Sequence, residues 1–452
     1  MFDNINGMEN VSQEKKYFSG LKNEKNLSFI KTNLFDIIVN GLVAYSNDIE
    51  IELMKLLQQT QILLDKGLKE DALKKILKYI QLCERYDLRN YLPIAYVKKY
   101  KSSNSFNVYN IENEQEILKE MKINQAWLEQ RILIDGLQAD IIHKRLKMGL
   151  SPRTENEIRE INEILENDVL AENSKHTISL NVIKEYVKIM CYGMLGKRED
   201  SLKSHEKMYN LINANNDFKE RDKAFYFDLV MNYLQILAVR VQDKDFFKVY
   251  NKVKIELKNE KSAKVLVKKD YYILRLEFCV VLINLALDKL PEAGKKAKEI
   301  VQMYPWAVTA SSFKSYIYEN TAKALFLTKD YECTLDLINL FIEDDEIRKQ
   351  PQRLITGKLF QLILHYELGN IELANNLCVN LYREMLRKEV LFEEHSLLMK
   401  YFKKIVSSPK NEEAEVFKEL YENISDWKSK VKNADLVSFF DLLYWVKLKA
   451  RV

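Results

Sequence analysis

The sequence predicts an all-α fold, a right-handed superhelical solenoid of antiparallel helix pairs that repeat about every 40 residues. Three observations predict it. Four stretches share a turn residue followed five positions later by a small residue: Gly67 to Ala72, Gly196 to Ser201, Lys329 to Thr334 and Gly369 to Ala374. The 452 residues include only eleven glycines and six prolines, so the residues that punctuate hairpins and long loops are scarce. Lys, Glu and Leu, all strong helix formers, fill much of the rest.

Taken in order, residues 1–25 are polar, and 26–150 read as an N-terminal helical region. Phe29, Ile30, Leu34, Ile37, Ile38 and Leu42 fall at helical spacing in one compact helix or two within Leu27–Tyr45, and Phe29, Ile30, Leu34 and Ile37 read as core. Residues 49–66 and 69–86 form the first clear hairpin, turning at Gly67, with Ala72 and Ile76 facing the partner helix. Pro93 kinks the next helical region or marks its start, and Ser102–Asn110 reads as a loop. From Glu112 to Met148 the pattern is almost unbroken, with Leu118, Met121, Leu128, Ile132 and Ile142 along one face and Gly149 as a C-terminal stop. Thr154-Glu-Asn-Glu157 is spaced as a capping box after a loose boundary near Ser151-Pro152.

Repeats fill 151–435. The residues opening each second helix are Ser201, Val249, Ala293, Thr334, Ala374 and Ala414, spaced 48, 44, 41, 40 and 40 apart. Pro291 sits in a first helical turn, where its missing N–H costs nothing, and Pro305 falls at the end of that hairpin. Residues 436–452 close the chain as an apolar capping helix, including Leu436, Val437, Phe439, Phe440, Trp445 and Val446.

The hairpin signature resembles the turn and second-helix start of a tetratricopeptide repeat, whose standard unit is 34 residues long. Ser12–Phe18, the segments Leu34-Phe35, Leu63–Gly67 and Ala72–Ile76, and the tail Phe439–Trp445 resemble a family of uncharacterised tetratricopeptide-like proteins frequent among Bacteroidetes. That resemblance implies a cytosolic helical-repeat protein with no assigned catalytic residues.

The charge balance, 70 basic against 66 acidic residues, gives little electrostatic reason to bind nucleic acid or anionic lipid. Asn26–Asp36 has the look of a helix-turn-helix fragment, which keeps open a regulator whose N-terminal segment contacts nucleic acid. Five scattered cysteines (Cys83, Cys191, Cys279, Cys333 and Cys378) read as free thiols in a reducing compartment. No secretory signal or spanning run is evident, and the cytoplasm is the expected address. Of the histidines His143, His176, His205, His365 and His395, only Asp140-Ile-Ile-His143 has a ligand spacing, without a second copy. Phosphate-binding loops and nucleophile elbows are missing from the sequence, so no metal, cofactor or catalysis is expected. The expected function is a protein–protein interaction scaffold. In helical-hairpin arrays the first helix of each pair lines a concave face. Counting back from Thr334 places Tyr316, Glu319, Asn320 and Lys323 on it, a polar patch suited to a peptide backbone.

Overall fold

In the computed structural model every described element is helical. The structure describes residues 24–45, 48–103, 111–148, 152, 154–171, 177–241, 243–261, 263–303, 314–388, 391, 393–430 and 442–450. Residues 1–23, Gly149, Ser151, His176, Pro305 and Leu436–Phe440, all named above, lie outside these.

The chain divides into two compact units, Met1–Glu129 and Gln130–Val452. The first contains α1 (Glu24–Tyr45), α2 (Ile49–Asp65), α3 (Lys69–Arg85), α4 (Leu92–Ser103) and the start of the long helix α5 (Ile111–Met148). The second continues with the rest of α5, then α6 (Glu155–Leu165), α7 (Ile178–Met194), α8 (Arg198–Asn213), α9 (Lys223–Val239), α10 (Asp243–Asn259), α11 (Lys269–Ala286) and α12 (Leu290–Met303). It ends with α13 (Lys314–Leu327), α14 (Tyr331–Glu343), α15 (Pro351–Glu367), α16 (Ile371–Arg387), α17 (Glu393–Ser407), α18 (Glu413–Lys430) and α19 (Leu442–Ala450). Three short helices, Asn216–Arg221, Ala263–Leu266 and Asp345–Arg348, fill connections. From α7 onward each helix packs on its neighbours in sequence, and first helices of successive pairs also meet, α9 with α11 and α11 with α13. That is the contact pattern of a helical repeat-like architecture.

One turn recurs. Gly67, Gly196 and Gly369 adopt positive φ, as do Asp288 and Lys329. In all five copies the next residue but one begins a helix. The residue after the turn donates its N–H back across the preceding helix end: Leu68 to the Leu63 carbonyl, Lys197 to Tyr192, Lys289 to Asn284, Asp330 to Leu325 and Asn370 to His365, at 2.8–3.0 Å. This is the Schellman closure, in which a left-handed residue lets two orphan carbonyls be satisfied before the chain reverses. The following helix is then nucleated by Ala72, Ser201, Ala293, Thr334 and Ala374, whose N–H groups reach back to that same residue at 2.9–3.0 Å. All five are buried, because only a small side chain lets the two helices of a pair approach there.

Two expected anchors shift. The fourth position of α10 is Phe246, fully buried, and not Val249. The fourth position of α18 is Val416, also buried, whereas Ala414 is half-buried. Before α10 the connection has the usual length and Val241 holds the positive φ, so the anchor falls at Phe246; before α18 the connection, 408–412, is longer.

The cores follow the pairs. In the first unit Leu53, Leu56, Ile76, Tyr79, Cys83, Leu92, Ala95 and Ile117 pack together. Pro93 lies in the first turn of α4, so it starts that helix and does not kink it. In the second unit a continuous core runs from Val182 to Ala450. Thr154 Oγ accepts from Glu157 N at 3.2 Å and Glu157 Oε2 accepts from Thr154 N at 3.0 Å, completing the capping box. All five cysteines are free thiols, four of them buried.

Three expectations are corrected. The Asn26–Asp36 stretch lies within one uninterrupted helix, so it contains no helix-turn-helix. Within α1, Leu34 is half-buried and Ile37 is 68% exposed, so Ile37 is not core. On α5 the buried residues are Ile117, Asn124, Trp127, Ile134 and Ile141, while Leu118, Ile132 and Ile142 are exposed. The helix carries two apolar stripes, and the packed one is offset from the one expected.

Candidate interaction surface

The first helices of the first unit leave an apolar surface open. On α2 the core is held by Leu53, Leu56 and Thr60, which face α3. Met54, Gln58, Gln61 and Ile62 fall in a separate arc about 100° wide. On α4 Leu92, Ala95 and Tyr96 are buried, and Ile94, Val97 and Lys98 share another such arc. Lys98 Nζ donates to Gln61 Oε1 at 2.5 Å, which sets the two arcs side by side. Gln61 Nε2 in turn donates to Asp65 Oδ1 at 2.7 Å, so the amide is held between a cation and a carboxylate.

The four apolar side chains of this face, Met54, Ile62, Ile94 and Val97, are 40–60% exposed. Gln58, Gln61, Lys98 and Lys101 border them. An apolar centre with a polar rim is the anatomy of a protein-binding patch. The layer beneath is packed: Tyr79, fully buried on α3, donates its hydroxyl to the Tyr91 carbonyl at 3.2 Å, and burial pushes the Tyr96 hydroxyl up to about 12. On the far side Lys78 of α3 pairs with Glu52 of α2 at 2.8 Å.

In the second unit the expected row lies on α13. Asn320 Nδ2 donates to the Tyr316 carbonyl at 3.0 Å, and Tyr316 stacks edge-on against Phe278 of α11, centroids 5.6 Å apart. Tyr316, Asn320 and Lys323 are half-buried, and Glu319 is buried. Burial first, then the Cys279 and Glu319 groups, push the Tyr316 hydroxyl up to about 12. The helical spacing brings the four to one side of α13, with Glu319 and Tyr316 turned toward packing.

Next to it Arg275, almost wholly buried on α11, donates to Asp228 Oδ1 at 3.1 Å and Asn232 Oδ1 at 2.7 Å on α9. Tyr272 donates to the Ala224 carbonyl at 3.1 Å. Burial lifts the Asp228 carboxyl above the usual carboxylate range, and the Arg275 charge opposes that rise. These bonds join successive first helices to one another. Of the histidines, His205 is buried with Nδ1 2.8 Å from the Ser201 carbonyl, and burial lowers its basicity. Asp140, beside the exposed His143, lies 3.9 Å from Lys144 Nζ.

Comparison with protein-family models, curated proteins and solved structures finds no match. No helix among the described residues is long and apolar enough to cross a membrane.

Proposed function

We propose that this chain is a non-catalytic, cytoplasmic protein–protein interaction scaffold built as a tetratricopeptide-like, right-handed superhelix with repeats of about 40 residues. The observation that carries the reading is the exposed apolar face Met54, Ile62, Ile94 and Val97, flanked by amides and lysines on the first helices. Helix-in-groove recognition needs that combination: apolar anchors supply the energy and the rim fixes orientation. Asn320 and Lys323 of α13, half-buried, extend the polar character of the first helices in the second unit.

The regulator reading draws less support. Between Lys31 and Gly41 the first helix carries one cation, Lys31, and one anion, Asp36, so its exposed residues carry no basic excess.

The test is capture from native cell extract by the immobilised full chain, with and without nuclease. A nuclease-resistant protein retained by the wild type and by Glu319→Gln, but lost by Met54→Glu/Ile94→Glu, is the expected result. Two charges in a desolvated patch cost at least about 2 kcal/mol, a loss of ~30-fold or more in affinity. Capture that disappears with nuclease overturns the reading.

A further inference from the structure

A helix that is apolar on several sides is stable only when covered. On α1, Phe35, Ile38 and Val39 occupy positions i, i+3 and i+4 of one face and are 38–65% exposed. The α2–α4 face of the same unit is also open: Met54, Ile62, Ile94 and Val97 are 40–60% exposed, and among the described residues α1 does not cover them. One unit thus presents a ligand-like helix and a surface suited to a helix, both exposed among the described residues.

We propose that α1 is exchanged between two copies of this chain, Phe35, Ile38 and Val39 of one copy seating on Met54, Ile62, Ile94 and Val97 of the other. This rests on the reading of the α2–α4 face as an interaction surface and names its partner. A two-fold exchange fills both open surfaces of both copies at once, which is the closed, isologous arrangement that soluble oligomers favour. The areas agree. At these exposures the seven side chains offer roughly 600 Å² of apolar surface per chain, against about 800 Å² per partner in a standard interface, with the rim supplying the rest.

Sedimentation equilibrium on the full chain tests the exchange at micromolar concentration. The wild type is expected to be a dimer, and both Phe35→Asp/Ile38→Asp and Met54→Glu/Ile94→Glu to be monomers with unchanged helicity, since every altered residue is exposed. Mixing the two monomeric variants is expected to restore a heterodimer, because one intact helix then meets one intact face. A monomeric wild type overturns the exchange, as does a dimer insensitive to either variant, or one lost with the α1 variant alone. A monomer that adsorbs to phosphatidylcholine vesicles through Phe35 and Ile38 overturns it too, in favour of a lipid surface. Partner capture through Met54 and Ile94 by a monomeric wild type would leave the scaffold reading standing while the exchange falls.

Discussion

Lys329 occupies a backbone conformation that glycine holds in three other copies of the same turn, with φ of 62° against 66–77°. An L side chain there crowds its own carbonyl at a cost of about 1–2 kcal/mol. Lys329→Gly is therefore expected to stabilise the chain by up to about 1 kcal/mol, the gain reduced by glycine's greater freedom when unfolded. Gly369→Ala is expected to destabilise it by about 1–2 kcal/mol through φ alone, because a Cβ at Gly369 would meet nothing within 4 Å. Chemical denaturation of the three proteins checks both signs; a stabilised Gly369→Ala would contradict the turn argument. The same residues explain what could be read in advance. Glycine announces Gly67, Gly196 and Gly369, and the small residue five positions on locates Thr334 behind Lys329. Asp288 carries no such announcement, because aspartate is at home in many surface conformations.

Among the elements, the hairpin α2–α3 was legible almost to the residue, since turn and periodicity agree there. Helix α5 was legible in extent and misread in orientation. Two apolar stripes run along it, and spacing cannot choose between them; only the neighbours that a stripe meets decide which is packed. Ile134 is fully buried, whereas Ile132, two positions earlier, is 69% exposed. Ile134→Ala is accordingly expected to cost about 2–4 kcal/mol and Ile132→Ala less than about 0.5 kcal/mol. Paired urea titrations measure the difference, and equal costs would return the helix to the orientation that the sequence suggests. The candidate face on α2 and α4 was missed for a related reason. Met54 and Ile62 interleave with the core residues Leu53 and Leu56, and only their exposure sets them apart. On α13 the spacing of Tyr316, Glu319, Asn320 and Lys323 places them on one side of a helix, but the burial of Glu319 depends on what packs against that helix, which spacing cannot see.

At the scale of the molecule, the helices of the second unit meet mostly near neighbours in sequence, so its stability should be graded along the chain and not held in one centre. The helix α19 is tied into the array by specific bonds. Trp445 of α19 donates Nε1 to Glu367 Oε1 at 2.7 Å, and Lys449 Nζ reaches Glu367 Oε2 at 2.9 Å. The indole packs edge-on against Phe417 of α18, centroids 5.2 Å apart, and against Tyr366 of α15 at 6.1 Å. Tyr366 gives its hydroxyl to Glu413 at 3.1 Å, so one aromatic cluster ties α15, α18 and α19 together. Removing the indole by Trp445→Ala opens a cavity and strands the buried Glu367 carboxylate with one donor fewer, a combined loss of about 3–5 kcal/mol. In a globular core that loss would be felt everywhere. In a chain of nearest-neighbour contacts it is expected to raise amide exchange in α18 and α19, diminish through α15, and leave α7 to α10 protected as in the wild type. Hydrogen exchange read peptide by peptide distinguishes the two cases, and a uniform loss of protection from α7 to α19 would show that the second unit folds as a single block.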